Sequence, residues 1–280
     1  ENSLLSETYS SHQVELDIIE VNVITDKDVD VSDFELIRCN AHLAYYVSIG
    51  LDGVPYYYKR FLQIANTAVL EYKLLVRNCN VPFIPTPYGV LYNWKHFTGE
   101  PILVYSYGAG YDRCKTLSME RKCSRISEEN GFFICLSLAT SVRDLHLNGY
   151  IHNQICPDNI QISALKGYRV GLLDNFSRAC CVQTARVFTQ LQITEVKSSG
   201  SKYCAPEVFS RSSCPTTASD VYSFGKCLFI IACKQKMALA VAEISEKCTR
   251  NSPSQRPTME QVFNEIASVA ADQGFPSVER

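Results

Sequence analysis

The character of the chain changes near residues 107–108, and this change constrains the fold more than any other feature. From Phe34 to this point, short runs rich in apolar and aromatic residues are separated by turn residues such as Asp52 and Gly53. This pattern predicts β-strands. Beyond it, longer amphipathic segments predict helices, which dominate from Ser219 onward. The sequence therefore predicts an α+β protein with a small strand-rich lobe followed by a larger helical lobe.

We place the small lobe at residues 33–107 and the large lobe at 108–280, and we interpret the polar, acidic residues 1–32 as an N-terminal extension. Strands are predicted at residues 34–37, 44–49, 54–61, 88–94 and 101–107.

Two helices have clear periodic patterns. One is predicted over 66–78, and a longer one over 131–149 ends at Asn148 and Gly149, a typical helix stop.

Composition excludes several classes of protein. The formal net charge of −2 gives no reason to expect a nucleic acid or a membrane surface as partner. No apolar run approaches the length of a membrane-spanning helix, and residues 1–10 contain no signal-peptide pattern. We therefore expect an intracellular, cytoplasmic protein, with a leader or anchor trimmed from this sequence left open.

The thirteen cysteines are odd in number, scattered and without repeated CxxC spacing. A disulfide framework or a zinc site is poorly supported by this pattern. We expect reduced, buried thiols that pack as small apolar residues. An exposed, reactive pair at Cys180 and Cys181 is the alternative.

The segment 150–162, YIHNQICPDNIQI, resembles the catalytic loop of protein kinases. His152 and Asn159 stand at the framework positions of that loop. The general-base Asp is replaced by Gln154, the adjacent Arg by Asn153 and the Lys by Cys156. An amide cannot accept the proton of a substrate hydroxyl, and a thiol cannot supply a fixed positive charge.

The resemblance to protein kinases extends over about 240 residues. The motif sequences SDVYSFG and QRPTMEQV are most similar to the tyrosine-kinase-like and receptor-like branch. The matching positions, in order, are Lys59 and Glu71, Tyr105 before the hinge, Asp174-Asn175-Phe176, Ala205-Pro206-Glu207, Asp220 and Arg256. The resemblance implies a two-lobed fold in which Arg256 pairs with Glu207.

The resemblance also implies an ATP site, and this sequence departs from it in several places. The segment 36–47, which corresponds to the glycine-rich loop, contains no glycine, so side chains at Cys39, Asn40, His42 and Leu43 replace bare backbone. Tyr57 stands where the family has a small Ala against adenine, and Gln161 where it has a Leu on the pocket floor. Strand alternation places Tyr57 on the same face as Lys59.

Four family positions for the nucleotide are retained, namely Lys59, Glu71, Asn159 and Asp174. They leave three interpretations open: a nucleotide-free salt-bridge cluster of Lys59, Glu71 and Asp174 kept for architecture, weak or metal-independent nucleotide binding, or real turnover. Asn159 and Asp174 retain oxygen atoms that can ligate magnesium. Asn175 and Phe176 stand where the metal-binding motif of the family has phenylalanine and glycine. If a shift of one residue places the Phe176 side chain in the interior, we expect this segment to be locked in a single conformation.

The large lobe is predicted to be shortened. Only 36 residues separate Asp220 from Arg256. The sequence passes from the central helix almost directly into the next, so a substrate-docking helix is expected to be missing. The polar segment 108–130 is interpreted as an insertion and is our candidate for partner contact.

These features together predict a catalytically inactive pseudokinase with no catalytic residues, no resident metal and no obligatory cofactor. We expect it to act as a scaffold or allosteric regulator by binding a protein, such as an active kinase or a receptor complex. The alternative is a nucleotide-binding switch or a weakly active atypical Ser/Thr kinase.

Overall fold

The structure, a computed structural model, describes residues 19–25, 34–39, 43–62, 67–92, 100–106, 115–123, 126–186, 201–232 and 238–275. The predictions for Asn40 and His42, and for residues 108–114 and 124–125 of the polar segment, lie outside these residues. The fold is α+β, as predicted, with a β-rich N-terminal part and a helical C-terminal part. The chain forms two compact units. The first comprises Glu1–Cys79, Ile84–Cys114 and Asn175–Ser177, and the second Asn80–Phe83, Lys115–Asp174 and Arg178–Arg280.

A β-sheet organises the first unit. Among the described residues it contains β1 (Val23–Ile24), β2 (Glu35–Cys39), β3 (Leu43–Ile49), β4 (Pro55–Phe61), β5 (Gly89–Leu91) and β6 (Ile102–Ser106). Their order across the sheet is β1-β5-β6-β4-β3-β2, and only the β1–β5 pair is parallel. Helix α1 (Thr67–Arg77) belongs to the same unit.

Strand β1 was not predicted, because residues 1–32 were interpreted as an extension. The backbone N–H of Val90 donates to the carbonyl of Asn22 at 2.8 Å. Gly89 permits this close approach, since a Cβ there would lie 2.5 Å from the Asn22 carbonyl oxygen. Part of the predicted extension is therefore the edge of the sheet.

One face of β4 supplies an aromatic core. Tyr56 and Tyr58 pack in a buried cluster with Ile24, Leu91, Ile102 and Val104. The Tyr58 hydroxyl is bonded to Ser48 Oγ at 3.0 Å, and burial raises the pKa of Tyr58 to about 12. Since side chains alternate along a strand, Tyr57 and Lys59 belong to the opposite face.

The predicted turn at Asp52 and Gly53 is present. The Asp52 carboxylate accepts hydrogen bonds from the Val54 N–H at 3.0 Å and the Tyr56 hydroxyl at 2.9 Å. Gly53 has φ +76°, a backbone conformation that favours glycine. These contacts close the hairpin that sets the register of β4.

The second unit is built around helix α3 (Glu128–Leu147), which packs against strand β9 (Tyr168–Leu173). Ser127 caps the start of α3 by accepting the Asn130 N–H at 3.3 Å. The helix ends at Asn148, and Gly149 has φ +80°, as the predicted stop requires. Strand β8 (Ile160–Leu165) pairs with β9 in a hairpin that the sequence analysis did not predict.

The remaining elements are α2 (Leu117–Cys123), α4 (Pro206–Phe209), α5 (Thr217–Ala232), α6 (Ala238–Cys248), α7 (Met259–Asp272) and the short pair β7 (Tyr150–Ile151) and β10 (Cys180–Cys181). Only residues 233–237 separate α5 from α6, in agreement with the predicted shortening.

Part of the segment interpreted as a polar insertion is ordered core structure. Thr116 and Leu117 are buried at the start of α2, and Glu120 Oε2 accepts a hydrogen bond from Arg169 Nη1 at 2.8 Å. Glu120 is itself buried, so its carboxylate faces a partner in its own unit rather than solvent. Contact of the polar segment 108–130 with a protein partner stays a prediction.

The ten cysteines whose side chains the structure describes are free thiols. Cys181 is buried, and burial raises the pKa of Cys180 to about 11. Because the thiolate is the reactive form, this geometry favours inert thiols over the alternative of a reactive pair. None of the helices described is long and apolar enough to cross a membrane.

Candidate functional site

A buried ion pair occupies the first unit. Lys59 on β4 and Glu71 on α1 are fully buried, and Lys59 Nζ lies 2.6 Å from Glu71 Oε1. The Lys59 ammonium is also 5.2 Å from the centre of the Phe61 ring and 5.9 Å from that of Tyr45. The ammonium group is therefore in contact with the Glu71 carboxylate and with two aromatic faces.

Tyr57 lies on β4 two residues before Lys59. It is 7% exposed and pairs with Val47 on β3 and Tyr105 on β6. The register of β4 places Tyr57 on the Lys59 face of the sheet, as the sequence predicts. A buried phenol thus fills space on that face, where the family has a small residue.

The described residues of the glycine-free segment form β2 and the start of β3. Arg38 pairs with Tyr45 across the two strands, and its guanidinium lies 4.1 Å from the centre of the Tyr45 ring. Large side chains therefore pack on each other in this hairpin, an arrangement that bare backbone would not give.

In the second unit, Asp220 holds the segment that resembles the catalytic loop. Its carboxylate accepts the backbone N–H groups of His152 at 2.7 Å and Asn153 at 2.9 Å. His146 Nε2 lies 3.1 Å from Asp220 Oδ2. Burial alone raises the pKa of Asp220, but the His146 bond and the His146 and His152 charges outweigh it and hold that pKa below its ordinary value. Asp220 is thus an ionised anchor for the loop.

The residues at the two chemical positions are neutral. Gln154 is an amide, and its backbone carbonyl accepts a hydrogen bond from Asn159 Nδ2 at 2.8 Å. Cys156 is 6% exposed, and burial raises its pKa to about 12. The loop therefore presents neither a carboxylate base at residue 154 nor a cation at residue 156.

Asn153 occupies the position of the missing arginine. Its backbone has φ +63°, and its Nδ2 donates to the Arg178 carbonyl at 3.0 Å and contacts Cys180 Sγ at 3.3 Å. The Asn153 amide therefore joins the loop to the segment after residue 177.

Asp174 is fixed through its backbone and its side chain. Its N–H donates to the Asn159 carbonyl at 2.9 Å, and His152 Nε2 lies 3.0 Å from its carbonyl oxygen. Gln161 Nε2 donates to Asp174 Oδ2 at 3.1 Å. Sequence reasoning missed this contact, since it assigned Gln161 to the floor of a nucleotide pocket.

Gln161 is almost fully buried, and its Oε1 has no hydrogen-bond partner among the described residues. Leaving a buried acceptor unsatisfied costs about 1–3 kcal/mol. The bond to Asp174 therefore has to offset a real penalty.

A divalent cation would compete with Gln161 for Asp174. Magnesium needs oxygen atoms at about 2.1 Å in octahedral geometry. One carboxylate oxygen of Asp174 already accepts the Gln161 N–H, whereas Asn159 donates through its amide nitrogen, an atom that does not ligate magnesium. In the described ranges, no group of three or more His, Cys, Asp or Glu side chains is placed to share a metal ion.

Asn175 and Phe176 follow as part of the first unit. Asn175 has φ +65°, and its Oδ1 accepts a hydrogen bond from Ser177 Oγ at 2.8 Å. Phe176 is 1% exposed. Phe176 is therefore buried at the position where the family has glycine, and the locking of this segment stays a prediction.

Comparison with known proteins finds a matching family model and a similar relative. A family model of the protein kinase domain matches residues 60–240, well over half of the chain. The inhibitor of nuclear factor kappa-B kinase subunit alpha of Danio rerio is 26% identical over 133 residues. That match covers 48% of this chain but only 17% of the length of the relative.

Proposed function

Since the chain belongs to the protein kinase family, we propose that it is a catalytically inactive member, a pseudokinase, that acts as a signalling scaffold or allosteric regulator. In this proposal it binds little or no ATP and works through protein–protein contacts. The observation that carries it is an intact loop framework around His152, Asn159 and Asp220 with neutral side chains at Gln154 and Cys156.

The missing base is the first argument. Phosphate transfer by protein kinases uses the loop aspartate to accept the proton of the substrate hydroxyl. Gln154 has no basic carboxylate, and the loop around it is well fixed, so its backbone is not free to bring a distant acid to this position.

The missing cation is the second argument. A transferring phosphoryl group carries negative charge that fixed cations stabilise. Cys156 is a buried thiol whose pKa of about 12 keeps it protonated at neutral pH, so it offers no such charge.

Weak or absent ATP binding is supported by the first unit. Tyr57 is a buried phenol on the Lys59 face, and Arg38 stacks on Tyr45 in the glycine-free hairpin. Both features fill volume that a nucleotide site of this family leaves open.

The proposed partner is a protein, such as an active kinase or a receptor complex, rather than a nucleic acid. The net charge of −2 provides no electrostatic attraction for a phosphate backbone. The Danio rerio relative is named as a kinase subunit, and the short match to it is consistent with a part in a kinase assembly.

Two measurements on the 280-residue chain test the proposal. The first is transfer of labelled phosphate from ATP to a mixed peptide library, with the double variant Gln154→Asp, Cys156→Lys as a comparison. The second is the melting temperature with ATP, alone and with Mg²⁺ or Mn²⁺. We expect no transfer and no shift for the wild type, and transfer above background would refute inactivity.

The alternative, a nucleotide-binding switch or a weakly active atypical Ser/Thr kinase, is favoured by one observation: the 2.6 Å ion pair of Lys59 and Glu71. An ATP-dependent rise in melting temperature that Lys59→Met abolishes would establish binding. Tyr57→Ala, which removes the phenol, is expected to create or strengthen such a shift.

A further inference from the structure

The contact between Gln161 and Asp174 defines a feature specific to this chain. Gln161 lies on β8 opposite Leu172 on β9, and its backbone forms an isolated bridge with Thr116. Its side chain reaches Asp174, the residue after β9, where Nε2 donates to Oδ2 at 3.1 Å. The backbone on both sides of the contact is therefore fixed, and the amide is positioned rather than loosely placed.

The amide presents positive character to the carboxylate. An N–H donor directed at Oδ2 occupies the direction from which a cation would approach that oxygen. A metal ion at about 2.1 Å from the same oxygen would meet the amide hydrogens and be repelled by the donor dipole. The carboxylate oxygen is thus already satisfied by a neutral group.

The other end of the amide shows that this contact is what retains it. Gln161 Oε1 is buried and has no hydrogen-bond partner among the described residues. An apolar side chain of similar size would avoid that loss, so packing alone does not account for glutamine here. The donor end is the end with a partner.

We propose that Gln161 takes the place of a metal ion at Asp174, since its amide holds that carboxylate in position and excludes Mg²⁺ or Mn²⁺ from it. This inference rests on the proposed function, because it concerns the same degenerate site. It adds that the loop conformation is independent of metal.

Binding of Mn²⁺ alone, without nucleotide, tests the proposal. Mn²⁺ is titrated into the wild-type chain and into Gln161→Leu, which removes the donor. The concentration of free Mn²⁺ is measured by its paramagnetic resonance. We expect no binding by the wild type that depends on Asp174, and at least about tenfold tighter binding by Gln161→Leu. Asp174→Asn in the Gln161→Leu background is expected to remove the gained site.

Two further variants separate a metal-replacing role from a merely structural one. Gln161→Met keeps the size without the donor and serves if Gln161→Leu fails to fold. Gln161→Glu places a second carboxylate beside buried Asp174, so we expect a lower melting temperature in a chelator and recovery on adding Mn²⁺. Gln273→Leu, which removes an exposed amide at the end of α7, is the control and is expected to gain no Mn²⁺ binding.

Mn²⁺ binding by the wild type that Asp174→Asn abolishes would overturn the inference, as would folded Gln161→Leu and Gln161→Met variants with no gain. Either result, together with no phosphate transfer, leaves the proposed pseudokinase function standing. Phosphate transfer by the wild type would overturn the proposed function whatever the Mn²⁺ titration gives.

Discussion

Arg256 and Glu207 form a two-point ion pair across 49 residues of sequence. Arg256 Nη1 lies 2.7 Å from Glu207 Oε1, and Nη2 lies 2.9 Å from Oε2. The Arg256 side chain is fully buried, and its guanidinium also donates to the carbonyl groups of Arg250, Ala218 and Asn251. The pairing that the sequence implies is therefore present, and it joins α4, the start of α5 and the loop before α7.

Arg256→Met is expected to destabilise the chain strongly. Removing one partner of a buried pair leaves the other charge uncompensated and typically costs about 3–5 kcal/mol. Lys247→Met is the matched control, since Lys247 pairs with Glu265 at 2.8 Å but both side chains are exposed. Urea unfolding should show a large loss for Arg256→Met and little change for Lys247→Met, and equal losses would contradict the argument.

The parts of the fold that the sequence predicted are those with a strong local pattern. Strand β4 contains three consecutive tyrosines next to an Asp-Gly turn, and α3 ends at an Asn-Gly stop. Strand β1 was missed because two residues carry no period. Strand β8 was missed although Ile160 and Ile162 alternate with Gln161, a period-two signal that the loop motif obscured.

In the candidate site, the contacts between motif positions were predictable from the sequence, and the contact specific to this chain was not. The motif positions predicted that Lys59 and Glu71 meet. The partner of Gln161 depends on the register of β8 and β9, which pairs Ile160 with Leu173 and so brings Asp174 beside the strand start. Register between two strands is a tertiary property that no local pattern specifies.

Asp220→Asn is expected to cost stability in a pH-dependent way. The pKa of Asp220 is lower in the folded chain than its ordinary value of about 3.9. Its ionised form therefore stabilises the fold above about pH 4, and this contribution is lost as the pH falls through the folded-state pKa. With two N–H groups and His146 bonded to the carboxylate, we expect a loss of about 3 kcal/mol at pH 7.

The measurement is urea unfolding of wild type and Asp220→Asn between pH 7 and pH 3. The difference between the two proteins cancels the titration of all other carboxylates, and it should shrink below about pH 4. A difference that stays constant over this range would show that the charge of Asp220 is not what stabilises the loop.

Asn153→Asp is expected to loosen the segment that follows residue 177. The substitution keeps side-chain size and tolerates the positive φ of residue 153, but it removes the donor to the Arg178 carbonyl. It also places a carboxylate next to the Asp220 anchor. The Val182 N–H donates to the Gly149 carbonyl. Hydrogen exchange of the Cys181 and Val182 N–H groups should accelerate by about tenfold, equivalent to about 1.4 kcal/mol.

Asn153→Gly is the companion variant, because it removes the amide and relieves the backbone constraint without adding charge. We expect faster exchange here too, although less than for Asn153→Asp. Unchanged exchange in both variants would mean that pairing of β7 with β10 alone holds the segment.

Variants of the Lys59–Glu71 ion pair distinguish a structural role of this pair from a role in nucleotide binding. Both side chains are fully buried, so Lys59→Met leaves a buried carboxylate without its cation and is expected to cost about 3–5 kcal/mol. The double variant Lys59→Met, Glu71→Leu removes both charges and should recover most of that loss, because an apolar pair of similar volume needs no compensation. If the pair serves architecture alone, the double variant melts near the wild-type temperature, and ATP shifts neither protein. A double variant as unstable as Lys59→Met would show that the two residues do not act as a pair.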